Sequence, residues 1–478
     1  MKSLFAVALI SVCALAAPVE DKMSNLPDAP AFTTNMYSGY LTVTDTKALH
    51  YVFAESENDP ANDPVVIWFN GGPGCSSMLA FMQENGPLAI DDGEDYIKTN
   101  PYPWHARANM LWLESPAGVG WSVGLTDEDL SHNDMTQSED ALAAVKSWYA
   151  KFPEYKQNKL FVSGESYAGI YVPFLTWQIY QNNMQAEFNP SLYNINLAGM
   201  MVGNGCTNWN VDTSPALPET LYNFQIIPKR VLDSYEANNC KYYGDPTFGK
   251  ESTSPACLKA EATIQKMLYN LNIYDLYRAV YPTTLLDKSK KLRAEGRMGT
   301  TIIGGEVKTY KRGMTMSEYT PWLKNKRLTS QLNQEEEPIL GDYFTDYMNR
   351  ADVRKAFNIP DSVQPWEQCT NSIDYHELDE CSNWIYPVLR HQTRMMFYSG
   401  DTDGAVPTYG SKQWIGALEW PVEEEWRPWF TNGQVSGYVE KYDGLDFVTV
   451  KGVGHMAPQW ARQPVQDMIL AWIHDETF

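Results

Sequence analysis

The chain has 478 residues, long enough to bury a large core and too long for a small fold held mainly by disulfides. Its 16 Trp and 29 Tyr are inconsistent with a disordered chain. Lys and Arg total 37 against 59 Asp and Glu, a formal net charge of −22. This charge argues against nucleic acid and against an anionic membrane as the main partner, because both attract a basic surface.

Residues 1–17 are predicted to be a secretory signal peptide. Lys2 precedes an apolar run over residues 4–16, and Ala14-Leu15-Ala16 has the A-x-A pattern of a signal-peptidase site. The run is too short to span a bilayer, and no later stretch of comparable hydrophobicity is long enough to do so. We therefore expect a protein of the secretory pathway that is not inserted in a membrane.

Beyond this segment, short apolar runs predict the strands of a buried sheet. They are residues 40–53, 64–69, 110–114, 159–163, 196–203, 394–399 and 447–450. Helical apolar spacing predicts helices over residues 138–152, with Ser138 as the N-cap, and over residues 166–180. Strands alternating with helices indicate an α/β protein with a mostly parallel central sheet flanked by helices.

Residues 207–338 differ from the rest and are predicted to be a largely helical cap insertion. They contain two helical pieces, residues 229–239 and 256–270, and no clear buried-strand run. The core would then have two parts, residues 18–206 and 339–478. Within the insertion, residues 283–330 carry 11 Lys or Arg and 4 Asp or Glu. Such a stretch is typical of a solvated surface, and it also fits an exposed loop that is cut during maturation.

The hexapeptide Gly164-Glu165-Ser166-Tyr167-Ala168-Gly169 lies directly after a predicted strand and directly before a helix. A nucleophile elbow requires this context, because its sharp turn exposes a Ser hydroxyl at the carboxyl edge of the sheet. The turn also aims the next backbone N–H, from Tyr167, at a developing oxyanion. Ala168 stands where the general G-x-S-x-G pattern has Gly, and a helix-capping role for Ser166 is the alternative.

Two loops near the C-terminus carry the groups that could activate Ser166. His455 lies on a Gly-flanked loop after the last predicted strand, where its ring could reach a nucleophile. Asp401 and Asp403 follow another predicted strand, where an acid can orient the imidazole, and spacing does not choose between them. The chain order Ser, Asp, His is that of α/β hydrolases. The Gly-rich loop at residues 70–74 is a second source of oxyanion N–H groups.

Five sequence blocks resemble, in order, the signatures of the serine carboxypeptidases. They are Trp68-Phe69-Asn70-Gly71-Gly72-Pro73-Gly74-Cys75-Ser76-Ser77, Glu114-Ser115-Pro116-Ala117-Gly118-Val119-Gly120-Trp121-Ser122, the hexapeptide around Ser166, Gly-Asp-x-Asp from Gly400, and Gly-His-Met-x-Pro from Gly454. The resemblance runs from Tyr37 to the end of the chain and is weakest across the insertion. It implies an α/β-hydrolase fold and a serine-type carboxypeptidase.

The resemblance also implies the roles of the catalytic residues. Ser166 would be the nucleophile, His455 the general base and acid, and Asp403 the orienting acid, with Asp401 structural. The backbone N–H groups of Gly72 and Tyr167 would form the oxyanion hole.

A peptide's free C-terminal carboxylate would, by the same resemblance, be the partner of this site. Its ligands would be Asn70, the Gly71 backbone, Glu84 and Glu165, supported by Trp68. Two acids can bind a carboxylate if they lie close and share protons, so we expect the best activity at acidic pH.

The side-chain preference is partly readable from two further positions. Met456 stands after the proposed catalytic His, where family members that prefer basic residues commonly have Glu, and Val406 occupies an apolar position after Asp403. We therefore expect a specificity pocket that prefers apolar or aromatic side chains near the cleaved bond.

Six Cys follow the predicted signal peptide, which suggests three disulfides and allows fifteen pairings. The resemblance implies Cys75–Cys369, the insertion contains a plausible Cys240–Cys257 pair, and Cys206–Cys381 is left. There is no C-x-x-C, Walker or G-x-G-x-x-G motif, so we expect no metal and no cofactor.

Several alternatives stay open at this level. The scaffold could belong to an esterase or acyltransferase, or to a protein that has kept the fold without activity. Secretion and delivery to a lysosome or vacuole are equally compatible with the sequence, as are a monomer and a homodimer.

Overall fold

A computed structural model describes residues 17–92, 94–240, 254–269, 271–279, 299–303, 306–310, 342–370 and 372–478. Two predictions fall largely outside these residues: the signal peptide, at residues 1–16, and most of the basic stretch at residues 283–330.

Each predicted apolar run coincides with at least one strand, and the structure contains further strands that were not predicted. The strands are β1 Met36–Thr42, β2 Lys47–Ala54, β3 Val65–Phe69, β4 Leu88–Ala89, β5 Lys98–Thr99, β6 Asn109–Leu113, β7 Val123–Gly124, β8 Ser131–Asn133, β9 Leu160–Glu165, β10 Leu197–Gly203, β11 Gly299–Ile303, β12 Glu306–Tyr310, β13 Asp374–His376, β14 Arg394–Gly400, β15 Val422–Thr431, β16 Gln434–Tyr442 and β17 Leu445–Val450. All five residues of β3, VVIWF, are buried, as expected of a strand covered on both faces.

The main sheet has the strand order β1-β2-β6-β3-β9-β10-β14-β17-β16-β15, with β7 paired to β2. The six strands from β6 to β17 in this order are mutually parallel. The strands at both edges pair antiparallel. The predicted α/β architecture with a mostly parallel sheet is confirmed. The carboxyl ends of β9, β10, β14 and β17 meet at one edge of this sheet.

One predicted strand is divided in the structure, and one long hairpin was not predicted. The run at residues 40–53 is not one strand, because the chain reverses between β1 and β2. The hydroxyl of Thr44 accepts hydrogen bonds from the backbone N–H groups of Thr46 and Lys47 and closes that turn. The hairpin β15–β16 was not predicted, because much of β15 is exposed and contains the charged run Glu423-Glu424-Glu425.

The helices flank the sheet and carry the chain between strands. They are α1 Asp134–Lys151, α2 Ala168–Ala186, α3 Leu217–Asn223, α4 Lys229–Ala237, α5 Pro255–Leu268, α6 Asp342–Met348, α7 Ala351–Ala356, α8 Ile385–Leu389, α9 Thr408–Gly416, α10 Ala457–Trp460 and α11 Arg462–Ile473. Helix α1 begins four residues before the predicted start. Its N-cap is Asn133, which forms a capping box with Thr136, and not Ser138.

Within residues 207–338, the described residues hold the helices α3, α4 and α5 and the hairpin β11–β12. This hairpin was not expected in a region predicted to be largely helical. After α5, residues 271–279 return to the edge of the main sheet and contact the loops that follow β14 and β17.

Two disulfides join Cys75 to Cys369 and Cys240 to Cys257. The expected Cys206–Cys381 bond is wrong for this structure, in which both Cys are free and buried. Burial raises the pKa of both thiols above the ordinary range. Cys381 Sγ instead accepts a hydrogen bond from the backbone N–H of Trp209 at 3.2 Å. Pairing the six Cys by elimination could not predict this hydrogen bond, because it joins residues that are far apart along the chain.

Within the described ranges, no helix is both long enough and apolar enough to cross a bilayer. In the same part of the chain, no group of three or more His, Cys, Asp or Glu side chains could hold a metal ion.

Candidate active site

Ser166 lies in the sharp turn between β9 and α2, with a φ of 65°. Its backbone N–H donates to the carbonyl of Gly203 on the neighbouring strand at 3.1 Å. A Cβ added to Gly164 would lie 2.4 Å from the Phe69 carbonyl oxygen and 2.6 Å from the Ala168 Cβ. The strained turn therefore needs small residues two positions before and two positions after the Ser, at Gly164 and Ala168, as the elbow pattern predicts.

His455 and Asp403 form a buried pair at the same edge of the sheet. His455 Nδ1 lies 2.7 Å from Asp403 Oδ2, and neither side chain is exposed to solvent. Asp401 points elsewhere and accepts a hydrogen bond from the Gly452 backbone N–H at 2.6 Å. The structure thus chooses between the two acids that spacing left open. Among the described residues, His455 Nε2 has no hydrogen-bond partner, so it is not bonded to the Ser166 hydroxyl here.

Asn204 is a site residue that the sequence analysis missed. It directly follows β10 and adopts a left-handed conformation, with a φ of 41°. Its Nδ2 donates to Asp403 Oδ2 at 2.9 Å, the oxygen that His455 also contacts. The other Asp403 oxygen accepts from the Ala405 backbone N–H at 2.7 Å. The available signal was the position of an Asn at the end of a core strand, next to a Gly.

The loop after β3 lies directly against the elbow. A Cβ added to Gly71 would lie 2.3 Å from the Tyr167 backbone nitrogen, and Gly72 has a φ of 118°. The Tyr167 hydroxyl donates to Asp134 Oδ1 at 2.7 Å and so anchors the elbow to α1. The two loops predicted to supply oxyanion N–H groups are therefore adjacent.

Five residues predicted to bind a carboxylate converge behind the elbow. Asn70 Nδ2 donates to Glu84 Oε1 at 2.9 Å and to Glu165 Oε1 at 3.1 Å. Trp68 Nε1 donates to Asn70 Oδ1 at 2.9 Å and so fixes the orientation of this amide. Gly71 follows Asn70 in the same loop. The structure thus brings together residues that are up to 97 positions apart along the chain.

Glu84 and Glu165 are buried, and their Oε1 atoms accept hydrogen bonds from the same donor, Asn70 Nδ2. Burial raises the pKa of Glu84 to about 7. Burial and the adjacent Glu84 carboxylate raise the pKa of Glu165 well above its ordinary value. Neither Oε2 accepts a hydrogen bond from another described residue. Two acids in this arrangement favour their protonated forms, because two adjacent buried negative charges are unfavourable.

Val406 and Met456 are both buried, at 0% and 2% exposure. Met456 directly follows His455 and precedes α10, while Val406 directly precedes the N-cap of α9. Both therefore lie on the loops that carry the proposed catalytic acid and base.

A sequence model described as serine carboxypeptidase matches residues 27–475 of this chain. The chain belongs to the serine carboxypeptidase family. It is 32% identical to serine carboxypeptidase 1 of Hordeum vulgare, with 96% of this chain and 93% of that protein covered. It is also 32% identical to the lysosomal protective protein of Mus musculus, with 93% and 91% covered. A putative serine carboxypeptidase-like 30 of Arabidopsis thaliana is 33% identical, with 92% and 86% covered.

The fold is shared with a solved carboxypeptidase structure. The prohormone-processing carboxypeptidase Kex1(delta)p of Saccharomyces cerevisiae superposes with a TM-score of 0.68 at 19% identity, covering 96% of this chain and 97% of that one. This chain is therefore a serine-type carboxypeptidase, a hydrolase with the α/β-hydrolase fold. Its disulfides mark it as a protein of the secretory pathway, because such bonds persist in oxidising compartments.

Proposed function

We propose that this carboxypeptidase releases single amino acids from the free C-termini of peptides and proteins, with Ser166, His455 and Asp403 as its catalytic residues. We further propose that it works best at acidic pH and prefers apolar side chains. The observation that carries the proposal is the buried Glu84–Glu165 pair beside the Ser166 turn, held by Asn70. An esterase acting on neutral substrates has no need of such an acid pair.

The chemistry begins when the Ser166 hydroxyl attacks the carbonyl carbon of the last peptide bond, while His455 Nε2 takes the hydroxyl proton. The backbone N–H groups of Gly72 and Tyr167 donate to the resulting oxyanion. His455 then returns the proton to the leaving amino group and the C–N bond breaks. Water, activated by His455, hydrolyses the acyl ester and releases the shortened peptide. Asp403 stabilises the imidazolium in both steps.

The acid pair binds the terminal carboxylate of the substrate by donating a hydrogen bond from a protonated carboxyl group, together with Asn70 and the Gly71 N–H. Deprotonation makes the pair an anion that repels this carboxylate. KM for a free-acid peptide is therefore expected to rise as the pH increases through about 7, following the raised pKa of Glu84. An amide or ester of the same peptide lacks the carboxylate and serves as the control. Parallel KM profiles for the two substrates would contradict this role.

The side-chain preference depends on the apolar residues beside the acid–base loops. Met456 and Val406 place no charge near a substrate side chain, so we propose a preference for apolar or aromatic residues. Blocked dipeptides ending in Phe, Leu and Arg are compared by kcat/KM at one pH. A strong preference for Arg would refute the apolar assignment.

The decisive experiment incubates the protein with a blocked dipeptide at pH about 5 and measures the free C-terminal amino acid. Ser166→Ala is expected to lower kcat by about 10⁴-fold or more, and a fluorophosphonate probe is expected to label the wild type but not this variant. A wild type that hydrolyses esters but not peptides would indicate another α/β-hydrolase activity. A wild type that the probe does not label would indicate a protein without catalytic activity.

A further inference from the structure

Residues 272–278, here called the 272–278 segment, lie within the region predicted to be a cap insertion, yet they contact both acid–base loops of the core. The loop with Asp403 follows β14, and the loop with His455 follows β17. These loops contact each other directly in three places. The Thr402 backbone N–H donates to the Val453 carbonyl at 3.0 Å, the Gly452 backbone N–H donates to Asp401, and His455 pairs with Asp403. Further backbone contacts to both loops come from the insertion.

Three backbone hydrogen bonds attach the segment to the two loops. The His455 N–H donates to the Tyr274 carbonyl at 2.7 Å, and the Gly404 N–H donates to the Ile273 carbonyl at 2.8 Å. In the opposite direction, the Leu276 N–H donates to the carbonyl of Thr402 at 2.9 Å. One segment therefore holds the backbone of His455, the proposed base. It also holds the backbone of Thr402 and Gly404, the two neighbours of Asp403.

A side-chain hydrogen bond adds to this attachment. The Thr402 hydroxyl donates to Asp275 Oδ1 at 2.7 Å, and both residues are buried, at 2% and 3% exposure. The same Asp275 oxygen accepts the Tyr277 backbone N–H at 3.0 Å, which fixes the carboxylate within its own turn. A buried hydrogen bond to a charged acceptor is stronger than a neutral one and is costly to leave unmade.

Close packing leaves the loops little room to shift away from the segment. A Cβ added to Gly454 would lie 1.9 Å from the Tyr274 carbonyl oxygen, and one added to Gly404 would lie 2.9 Å from Ile273 atoms. The Tyr274 and His455 rings lie with their centroids 5.3 Å apart. At the far end of the segment, the Arg278 guanidinium lies 4.4 Å from the centre of the Trp460 ring on α10.

We infer that the 272–278 segment positions His455 and Asp403 for catalysis, with Asp275 and Thr402 as positioning residues. The inference rests on the proposed function, since it assigns a role relative to the proposed acid and base. By this inference, the insertion contributes to catalysis in addition to any role in covering the active site. The reason is geometric: the core supplies the side chains, and the insertion supplies hydrogen bonds that fix their loops.

The test is Thr402→Val, which removes the hydroxyl at nearly constant volume, in the full-length protein. With a blocked dipeptide, kcat is expected to fall about tenfold while KM stays within about twofold, because a small misalignment of acid and base lowers the rate without touching the carboxylate site. Thr402→Ser restores the hydroxyl and is expected to recover most of kcat. Thr220→Val is the matched control, because Thr220 is a buried insertion residue whose hydroxyl donates only within its own helix.

A spectroscopic measurement separates positioning from general destabilisation. The low-field proton resonance of His455 Nδ1–H reports the bond to Asp403 and is expected to shift or broaden in Thr402→Val but not in Thr220→Val. If Thr402→Val does not fold, Asp275→Asn and Asp275→Ala provide the same comparison, because Asn keeps an acceptor oxygen and Ala does not. The Asn variant is then expected to retain more of kcat than the Ala variant.

The outcomes distinguish this inference from the proposed function. A Thr402→Val variant with wild-type kcat and an unchanged His455 resonance overturns the inference, even if Ser166→Ala is inactive. Equal kcat for Asp275→Asn and Asp275→Ala overturns it in the same way. A wild type that neither cleaves the dipeptide nor reacts with a fluorophosphonate overturns the proposed function itself.

Discussion

Replacing Glu84 with Gln is expected to remove a pH-dependent loss of stability from this protein. The pKa of Glu84 is raised by burial from 4.5 to about 7 in the folded chain. Between these values the folded state binds a proton that the unfolded state has released. Stability is therefore greatest below pH 4.5 and falls as the pH rises towards 7.

The size of this effect follows from the two pKa values. Each pH unit between them corresponds to about 1.4 kcal/mol, so the Glu84 carboxyl alone accounts for about 3 kcal/mol of unfolding free energy lost between pH 4.5 and 7. The raised pKa of Glu165 acts in the same direction. In Glu84→Gln, the amide can keep the hydrogen bond from Asn70 and donate to Glu165, as the protonated acid does, without titrating.

The assay measures unfolding by urea from about pH 4.5 to 7.5 with the disulfides intact. The free energy of unfolding of Glu84→Gln, relative to wild type, is expected to rise by about 3 kcal/mol across this range. Glu187→Gln is the control, because that carboxylate is exposed at the end of α2, and its difference from wild type should stay constant. A Glu84→Gln difference that is equally constant would refute the argument that Glu84 is protonated in the folded chain.

Three further predictions concern residues around the site. Asn204→Ala is expected to lower kcat about tenfold with little change in KM, because it removes a hydrogen bond to the proposed catalytic acid; unchanged kcat in steady-state kinetics would contradict this. Replacing Cys75 and Cys369 together with Ser is expected to cost about 2–5 kcal/mol of stability in urea unfolding, since their bond closes a long loop, and a loss below 1 kcal/mol would count against it. Cys206 and Cys381 are expected to resist a thiol reagent in the native protein and to react as two thiols after unfolding without reductant. Finding no reactive thiol in the unfolded chain would show that the two are bonded to each other.

Much of the fold could be predicted from local sequence, because a strand buried on both faces is mainly apolar. The residues of β3, β9 and β14 carry this signal. The hairpin β15–β16 does not, because one of its strands is largely exposed. Its turn, Asn432-Gly433, with φ of 51° and 73°, is the local signal that could have found it.

The sequence by itself determined the elbow around Ser166, the Gly-flanked loop of His455 and the block that contains Asn70. Each of these depends on residues that are neighbours along the chain. The same short sequence therefore specifies both the functional side chain and the loop or turn that carries it. The family resemblance already implied Asp403 and not Asp401, and the structure places the Asp403 carboxylate against the His455 ring. Only the tertiary structure decided that Asn204 supports this acid and that Cys206 and Cys381 are free. It also brought the 272–278 segment onto the acid–base loops. These contacts join residues that are far apart along the chain, and their existence depends on how the strands order themselves in the sheet and on where the insertion packs.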